Sequence, residues 1–391
     1  MPPTPTPSAN LDAAPGQLHP LATQTLLAAI EAGWADPRRL YREARTARAF
    51  LDQAREVLAS GLGTRPEELS FHAGGASAAI GAALDGLAWP RRRTGEAVVA
   101  SAVEHSSVLI PSRYAAAHAP ESARLIEVGV ERDGRVDLAQ WSDAVAAGGV
   151  AVAALQQANG EVGTIQPLHE AYAACARSGV PLLVDAQASL GRVGAPAAYD
   201  ALVGDAATVG GPPLGLLVTP ARTRFARSGA PREAEFGRAD SPVWVPLALA
   251  AAEAWQQSAA ARVADAAEAA ALTARIREAA AAIPDVEVAG HPDDRLPHIV
   301  TFSALYVDGE TIVGELDRLG LSVASGSACT ASTLEPSHVL AAMGLLTHGN
   351  VRITLPWAAM APDRAAAVDR LIEALPGVIA GARARLGADG L

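Results

Sequence analysis

The sequence predicts an α/β protein: a mostly parallel sheet covered by helices on both faces, followed by a smaller α+β unit. Three observations carry this. Short apolar runs alternate with helical patterns from about residue 69 to 218, as parallel strands buried on both faces do. An alanine-rich stretch over 247–283 has one helical texture, and alanine has the highest helix propensity. After Pro284 the pattern changes to a few strands separated by helices. With 391 residues, half of them apolar and 19% charged, the chain can bury a large core and, at roughly 100–200 residues per domain, form two domains.

In chain order, residues 1–20 are proline-rich and read as irregular at first. The pattern over 21–58 is helical, interrupted near Asp36-Pro37. A strand at 69–71 runs into Gly74-Gly75 and a helix over 76–87. A strand at 97–101 precedes a helix that starts after Ser106. A buried strand at 150–156, a helix over 168–177 and a buried strand at 181–185 follow. Residues 206–209 and 214–218 read as strands around a Gly-Pro-rich turn. Beyond the long helix, strands are expected at 286–288, 299–302 and 351–355, with helices at 309–319, 336–343 and 362–386. The expected division is a large domain over 21–255 and a small one over 1–20 and 256–391.

Composition excludes several classes. The chain is too apolar for disorder. It has no run of about 20 apolar residues to span a bilayer. Its start, MPPTPTPSAN, has no basic segment leading into an apolar one, so no secretory signal is expected. A net charge of −11 argues against nucleic acid or an anionic membrane as partner, and the one basic cluster, Arg91-Arg92-Arg93, reads as a solvated loop. Two distant cysteines, Cys175 and Cys329, point to a cytoplasmic protein without disulfides. Cys175 lies in a helical pattern and reads as a small buried residue. Cys329 lies in SVASGSACTAS, a loop where an exposed thiol could work. No metal-ligand pattern is read. The 31 basic residues are all arginine: the chain has no lysine.

Six places could carry chemistry. In FHAGGASAAIGAAL, over 71–84, the backbone N–H groups of Gly75, Ala76 and Ser77 at a helix start suit an anion, although a tight strand-to-helix turn reads the same way. His105 follows a strand end, where parallel sheets bind ligands, and could stack on an aromatic cofactor or be structural. Asn159, in QQANGEVG, follows another strand. Asp185 ends a buried strand, where a carboxylate needs a partner; a protonated ring nitrogen would serve, and so would neighbouring backbone. Arg352, in GNVRITLP, has a fork that suits a carboxylate. The sixth is the Cys329 loop.

The order of these motifs resembles that of the cysteine desulfurases, PLP-dependent enzymes of the class V aminotransferase, fold-type I superfamily, and most closely the group serving iron–sulfur assembly and tRNA thiolation. The likeness runs from Leu11-Asp12-Ala13-Ala14 through residues 69–77, Glu104-His105, Asn159-Gly160-Glu161-Val162-Gly163 and Val184-Asp185-Ala186 to Ser325-Gly326-Ser327-Ala328-Cys329-Thr330 and Leu334-Glu335-Pro336-Ser337. It implies a seven-stranded-type sheet in the large domain, a homodimer, and sulfur mobilisation from L-cysteine or a related amino acid to an acceptor protein. It implies that His105 stacks on the pyridine ring, Asn159 bonds near the phenolic oxygen, Asp185 pairs with the pyridinium nitrogen, Arg352 holds the substrate carboxylate and Cys329 takes the sulfur as a persulfide.

The departures are as informative. Thr208 falls at or next to the position of the Schiff-base lysine, and no shift of alignment supplies one. A serine that touches the cofactor phosphate is replaced at about Asp205, whose charge should repel a phosphate. The cradle's threonine matches Ala76, beside Ser77. The glutamine that bonds the phenolic oxygen matches Ala188, beside Gln187. The partner subunit's threonine on the phosphate corresponds to Ser241. Pyridoxal 5′-phosphate is therefore expected to bind non-covalently at best, and without an amine to act as general base turnover should fall by several powers of ten, since such catalysis alone contributes roughly 10²–10⁴. The resulting expectation is a desulfurase-like protein with impaired or absent turnover; an inactive fold-type I scaffold or a sulfur-relay or partner-binding protein is the alternative.

Overall fold

The computed structural model describes residues 8–14, 16–33, 35–118, 124–325, 336–385 and 387. The chain opens with a short strand β1 (Ala9–Asn10) and two helices, α1 (Pro20–Glu31) and α2 (Arg42–Gly61). Alternation then sets in: β2 (Leu69–His72), α3 (Gly75–Ala88), β3 (Ala97–Ser101), α4 (Ser106–His118), β4 (Leu125–Val128), α5 (Leu138–Ala146), β5 (Val150–Gln156), α6 (Leu168–Arg177), β6 (Leu182–Asp185), β7 (Ala201–Asp205) and β8 (Gly215–Val218). These strands form one seven-stranded sheet in the order β2-β8-β7-β6-β5-β3-β4. Only β8 runs against its neighbours, so the sheet is mostly parallel. β5 and β6 are buried at every position, because helices cover both faces.

The second part follows α7 (Val245–Ala281), with β9 (Val286–Val288), β10 (Ile299–Ala304), α8 (Gly309–Arg318), β11 (Leu321–Ser322), α9 (His338–Ala342), β12 (Asn350–Thr354) and α10 (Arg364–Arg385). An antiparallel sheet β12-β10-β9 and the parallel pair β1-β11 support it. α7 is one 37-residue helix whose first turns pack in the core around Phe71, Trp141 and Leu155. Its last turns pack around Phe302, Leu316 and Leu371, in a second core that also holds Ala9 and Leu11. No helix among the described residues is long and apolar enough to cross a membrane.

One expected strand is corrected. Residues 206–209 are not a strand: Ala206–Val209 form a 3₁₀ turn, with Asp205 as its N-cap and Gly210 closing it at φ +84°. The strand lies just before, at β7. The short apolar run looks extended in sequence, but the Asp205 side chain accepts from the Ala207 N–H, and such a cap favours a helical start. α9 likewise starts after Ser337, whose hydroxyl accepts the Leu340 N–H at 3.1 Å, rather than at Pro336.

Strands β3, β5, β6 and β7 point the same way, so their C-terminal ends share one edge of the sheet. β2 is antiparallel to β8, which is antiparallel to β7, so β2 ends at that edge too. Open α/β sheets bind ligands there.

Candidate functional site

The turn from β2 into α3 brings the first candidate to this edge. Gly75 opens α3 at φ +70°, a left-handed geometry that glycine adopts without strain. Close packing fixes its position: a Cβ on Gly215 of β8 would lie 2.2 Å from the Gly75 carbonyl oxygen. Ser77 is exposed on α3 and Ala76 is buried. The Ala76 N–H donates to Asp205 Oδ2 at 2.8 Å. Asp205 Oδ1 accepts from the Ala207 N–H at 3.0 Å and the Leu214 N–H at 3.1 Å. Three backbone donors from three segments thus converge on one carboxylate, and the cradle already holds an anion of the chain's own.

Asp185 ends β6. Both its oxygens bond Gln187: Oδ1 accepts from the Gln187 N–H and Oδ2 from Gln187 Nε2, each at 2.8 Å. Burial raises the Asp185 carboxyl above its ordinary range, opposed by the Gln187 N–H, the charge of His105 and the Gln187 side chain. His105 is exposed, with Nδ1 2.7 Å from Ser107 Oγ. Beside it Glu104 is fully buried, and burial holds its carboxyl well above the usual range. Asn159 Nδ2 donates to the Val103 carbonyl at 3.1 Å, and Oδ1 accepts from the Glu161 and Val162 N–H groups at 2.8 and 2.9 Å. Its amide oxygen and one of its two amide N–H groups are thus bonded to backbone.

Thr208 lies in the 3₁₀ turn. Its hydroxyl donates to the Gln187 carbonyl at 2.6 Å, and its carbonyl accepts from Trp357 Nε1 at 2.9 Å. Asp185, Gln187 and Thr208 are therefore linked by direct bonds, and Thr208 lies in the turn that Asp205 caps. Trp357 carries the chain of contacts onward, because its ring stacks on the Arg192 guanidinium, 4.1 Å away. Arg192 belongs to a buried ion cluster with Asp265, Arg364 and Glu268: Asp265 meets Arg364 at 2.8 Å and Arg192 at 3.4 Å, and Arg364 meets Glu268 at 2.8 Å. A cavity of about 150 Å³ borders it, lined in part by His19, Val209, Asp265, Glu268, Trp357 and Met360.

Arg352 comes from β12 in the second sheet. It pairs across to Thr301 of β10, whose hydroxyl donates to the Glu161 carbonyl at 2.6 Å. Arg352 Nη2 lies 3.5 Å from Asp12 Oδ1, and its Nε is buried with no hydrogen-bond partner among the described residues. Ser241 is exposed in the loop before α7. Cys329 lies outside the described residues. Cys175 is buried in α6, where burial pushes its thiol up to about 12, as suits a structural residue. His72 is buried, with Nε2 3.4 Å from Ser70 Oγ. Burial, with Arg227 next, lowers its pKa to about 4, so it is neutral near pH 7.

Glu161 gives a pH signature. Burial raises its carboxyl to about 7, while Ser337 and Arg352 pull it the other way. Between its ordinary 4.5 and about 7, the folded state keeps a proton that the unfolded state has released, so rising pH costs stability across that window. Glu161→Gln removes this titration. The stability of the variant relative to the wild type therefore rises across the window and is flat beyond it, as read by urea unfolding at a series of pH values. A difference that stays constant or falls contradicts the assignment.

Sequence reasoning marked Asp205 as a charge that opposes phosphate but not as the group that fills the cradle; the N-cap pattern Asp205-Ala206-Ala207 was the available signal. It missed the turn of Gln187 onto Asp185, the Asp12–Arg352 pair and the part played by Trp357.

The profile of the class-V aminotransferase family matches residues 9–200 and 225–363, and the chain belongs to that family. Within it the chain falls among the cysteine desulfurases. It is 32% identical to cysteine desulfurase IscS 1 of Archaeoglobus fulgidus over 84% of this chain and 87% of the relative. It is 32% identical to an IscS-like cysteine desulfurase of Mycobacterium tuberculosis over 95% and 96%. Among solved structures, a NifS-like protein superposes with a TM-score of 0.82 at 20% identity, covering 95% of this chain and 99% of that one. The fold is therefore the fold-type I architecture.

The family's cofactor is PLP. The residues present do not fit it as the family holds it: no lysine amine is available for a Schiff base, the Ala76 N–H of the cradle is taken by Asp205, and both oxygens of the carboxylate for the pyridinium nitrogen are bonded by Gln187.

Proposed function

We propose that the chain is a sulfur-handling member of the cysteine desulfurase family that carries sulfur on Cys329 and whose turnover of L-cysteine is impaired or absent. The observation that carries this reading is the Asp205 carboxylate on the Ala76 N–H of the cradle and on the Ala207 and Leu214 N–H groups in a chain without lysine. The Cys329 thiolate attacks the outer sulfur of a donor persulfide, the donor leaves as a thiolate, and Cys329 becomes the persulfide. An acceptor thiolate then attacks that outer sulfur and restores the Cys329 thiolate. The names of the relatives make L-cysteine the ultimate source of the sulfur. Arg352, whose Nε has no partner among the described residues, is the group that would hold a carboxylate of an amino-acid donor. A homodimer, a cytoplasmic location and a protein acceptor belong to the same proposal, as does a small domain made of residues 1–20 and 256–391.

Persulfide labelling tests it. After incubation with an inorganic polysulfide, the wild type takes one persulfide label and Cys329→Ala takes none. Label that persists in Cys329→Ala overturns the assignment and shifts it to Cys175.

A further inference from the structure

We infer that Asp205 and Gln187 are built-in surrogates for the two polar ends of the family's cofactor, so that the pocket is completed by the chain itself and is closed to a phosphate ester. This rests on the reading of the protein as one without PLP-dependent turnover, and explains how the fold tolerates that state.

A helix start and a tight turn that point several N–H groups at one place are costly to leave without an acceptor. In a PLP enzyme the phosphate supplies the acceptor. Here Asp205 Oδ2 takes the Ala76 N–H, and Oδ1 takes those of Ala207 and Leu214. The same logic holds at the other end. Asp185 is buried at the end of a strand with 4% exposure, where a carboxyl needs donors. The Gln187 backbone and side-chain amides supply one to each oxygen. Thr208 ties the two ends together by bonding the Gln187 carbonyl from the turn that Asp205 caps. Asp185, Gln187 and Thr208 thus form one bonded chain that ends in the turn capped by Asp205. A pocket that had merely decayed would leave some of these donors and acceptors unpaired.

The inference predicts that the cradle can be reopened. The wild type, Asp205→Ser and Gln187→Ala, all prepared without PLP, are titrated with inorganic phosphate while Tm and the ³¹P line width of phosphate are followed. The wild type and Gln187→Ala show no saturable response. Asp205→Ser has a lower Tm in phosphate-free buffer, regains it as phosphate is added, and broadens the phosphate line saturably, as binding to the folded state alone requires. Saturable broadening by the wild type overturns the inference, and this readout depends on no variant. A folded Asp205→Ser that ignores phosphate overturns it too. Should the serine variant not fold, Asp205→Asn takes its place under the same criterion. The phosphate readout is independent of Cys329, so failure here and failure of the persulfide experiment are distinguishable.

Discussion

Thr208→Lys alone leaves the protein without PLP-dependent sulfide release from L-cysteine. The substitution supplies an amine and nothing else. Asp205 still occupies the N–H groups of Ala76, Ala207 and Leu214, and two like charges 4 Å apart repel by about 4 kcal/mol at an effective dielectric of about 20. That amounts to roughly a thousandfold in affinity, at about 1.4 kcal/mol per decade. The new amine would also lie three residues beyond Asp205 in the same turn, and a neighbouring carboxylate keeps an ammonium protonated, whereas the nucleophile must be neutral. Gln187 still covers Asp185. The double variant Asp205→Ser/Thr208→Lys removes the first two obstacles and gains saturable PLP binding. Sulfide production by Thr208→Lys alone at the rate of an active relative contradicts the account.

Asp265→Ala destabilises the fold by about 3–5 kcal/mol, the usual cost of removing one partner from a buried ion pair. Asp265 faces two arginines: it accepts from Arg364 Nη1 at 2.8 Å, lies 3.4 Å from Arg192 Nη1, and accepts the Ala358 N–H at 2.8 Å. Burial lowers Arg192 to about 9, with Asp265 holding it up and Arg364 pushing it down further. Without the carboxylate, Arg364 keeps Glu268, whose side chain is 47% exposed, and the Pro356 carbonyl, while Arg192 keeps the Leu355 carbonyl at 3.4 Å. The cluster joins α7, the loop after β6, the loop after β12 and the start of α10, and Trp357 links it to Thr208. Its loss therefore loosens the candidate site as well. Asp265→Asn keeps an acceptor and costs less. Guanidinium unfolding followed by circular dichroism measures both. A loss below about 1 kcal/mol for the alanine variant would show that the pair adds little beyond the weight of an exposed one.

Much of the scaffold was legible in the sequence. β3, β5 and α6 begin and end where their apolar runs do, because strands buried on both faces and an amphipathic helix leave unambiguous patterns; the half-buried edge strand β9 also keeps its expected bounds. The alanine-rich run forms a helix over nearly its whole length. β4 and α5 went unmarked. β4 is an edge strand whose residues are mostly half-exposed, and α5 is only nine residues long. The turn over Ala206–Val209 misled because a hydrogen-bonding cap outweighed apolar texture. At the site, the absent lysine was legible from composition alone. What the sequence could not supply was the direction of side chains. Gln187 reads as a displaced glutamine and acts through the rotamer that folds it onto Asp185. Asp205 reads as an obstacle and acts as a ligand to three N–H groups. Arg352 and Asp12 meet only because the segment after β1 bridges β12, Asp12 beside Thr354.

The central claim is that the chain completes its own pocket and does not run the family's PLP chemistry. The most direct test is an absorbance spectrum of the purified wild type titrated with PLP and then with L-cysteine, with sulfide measured in the same sample. The account predicts the spectrum of free PLP throughout, apart from its solution reaction with cysteine, and no sulfide above a protein-free control. A saturable shift of the cofactor band with sulfide release proportional to protein would contradict it.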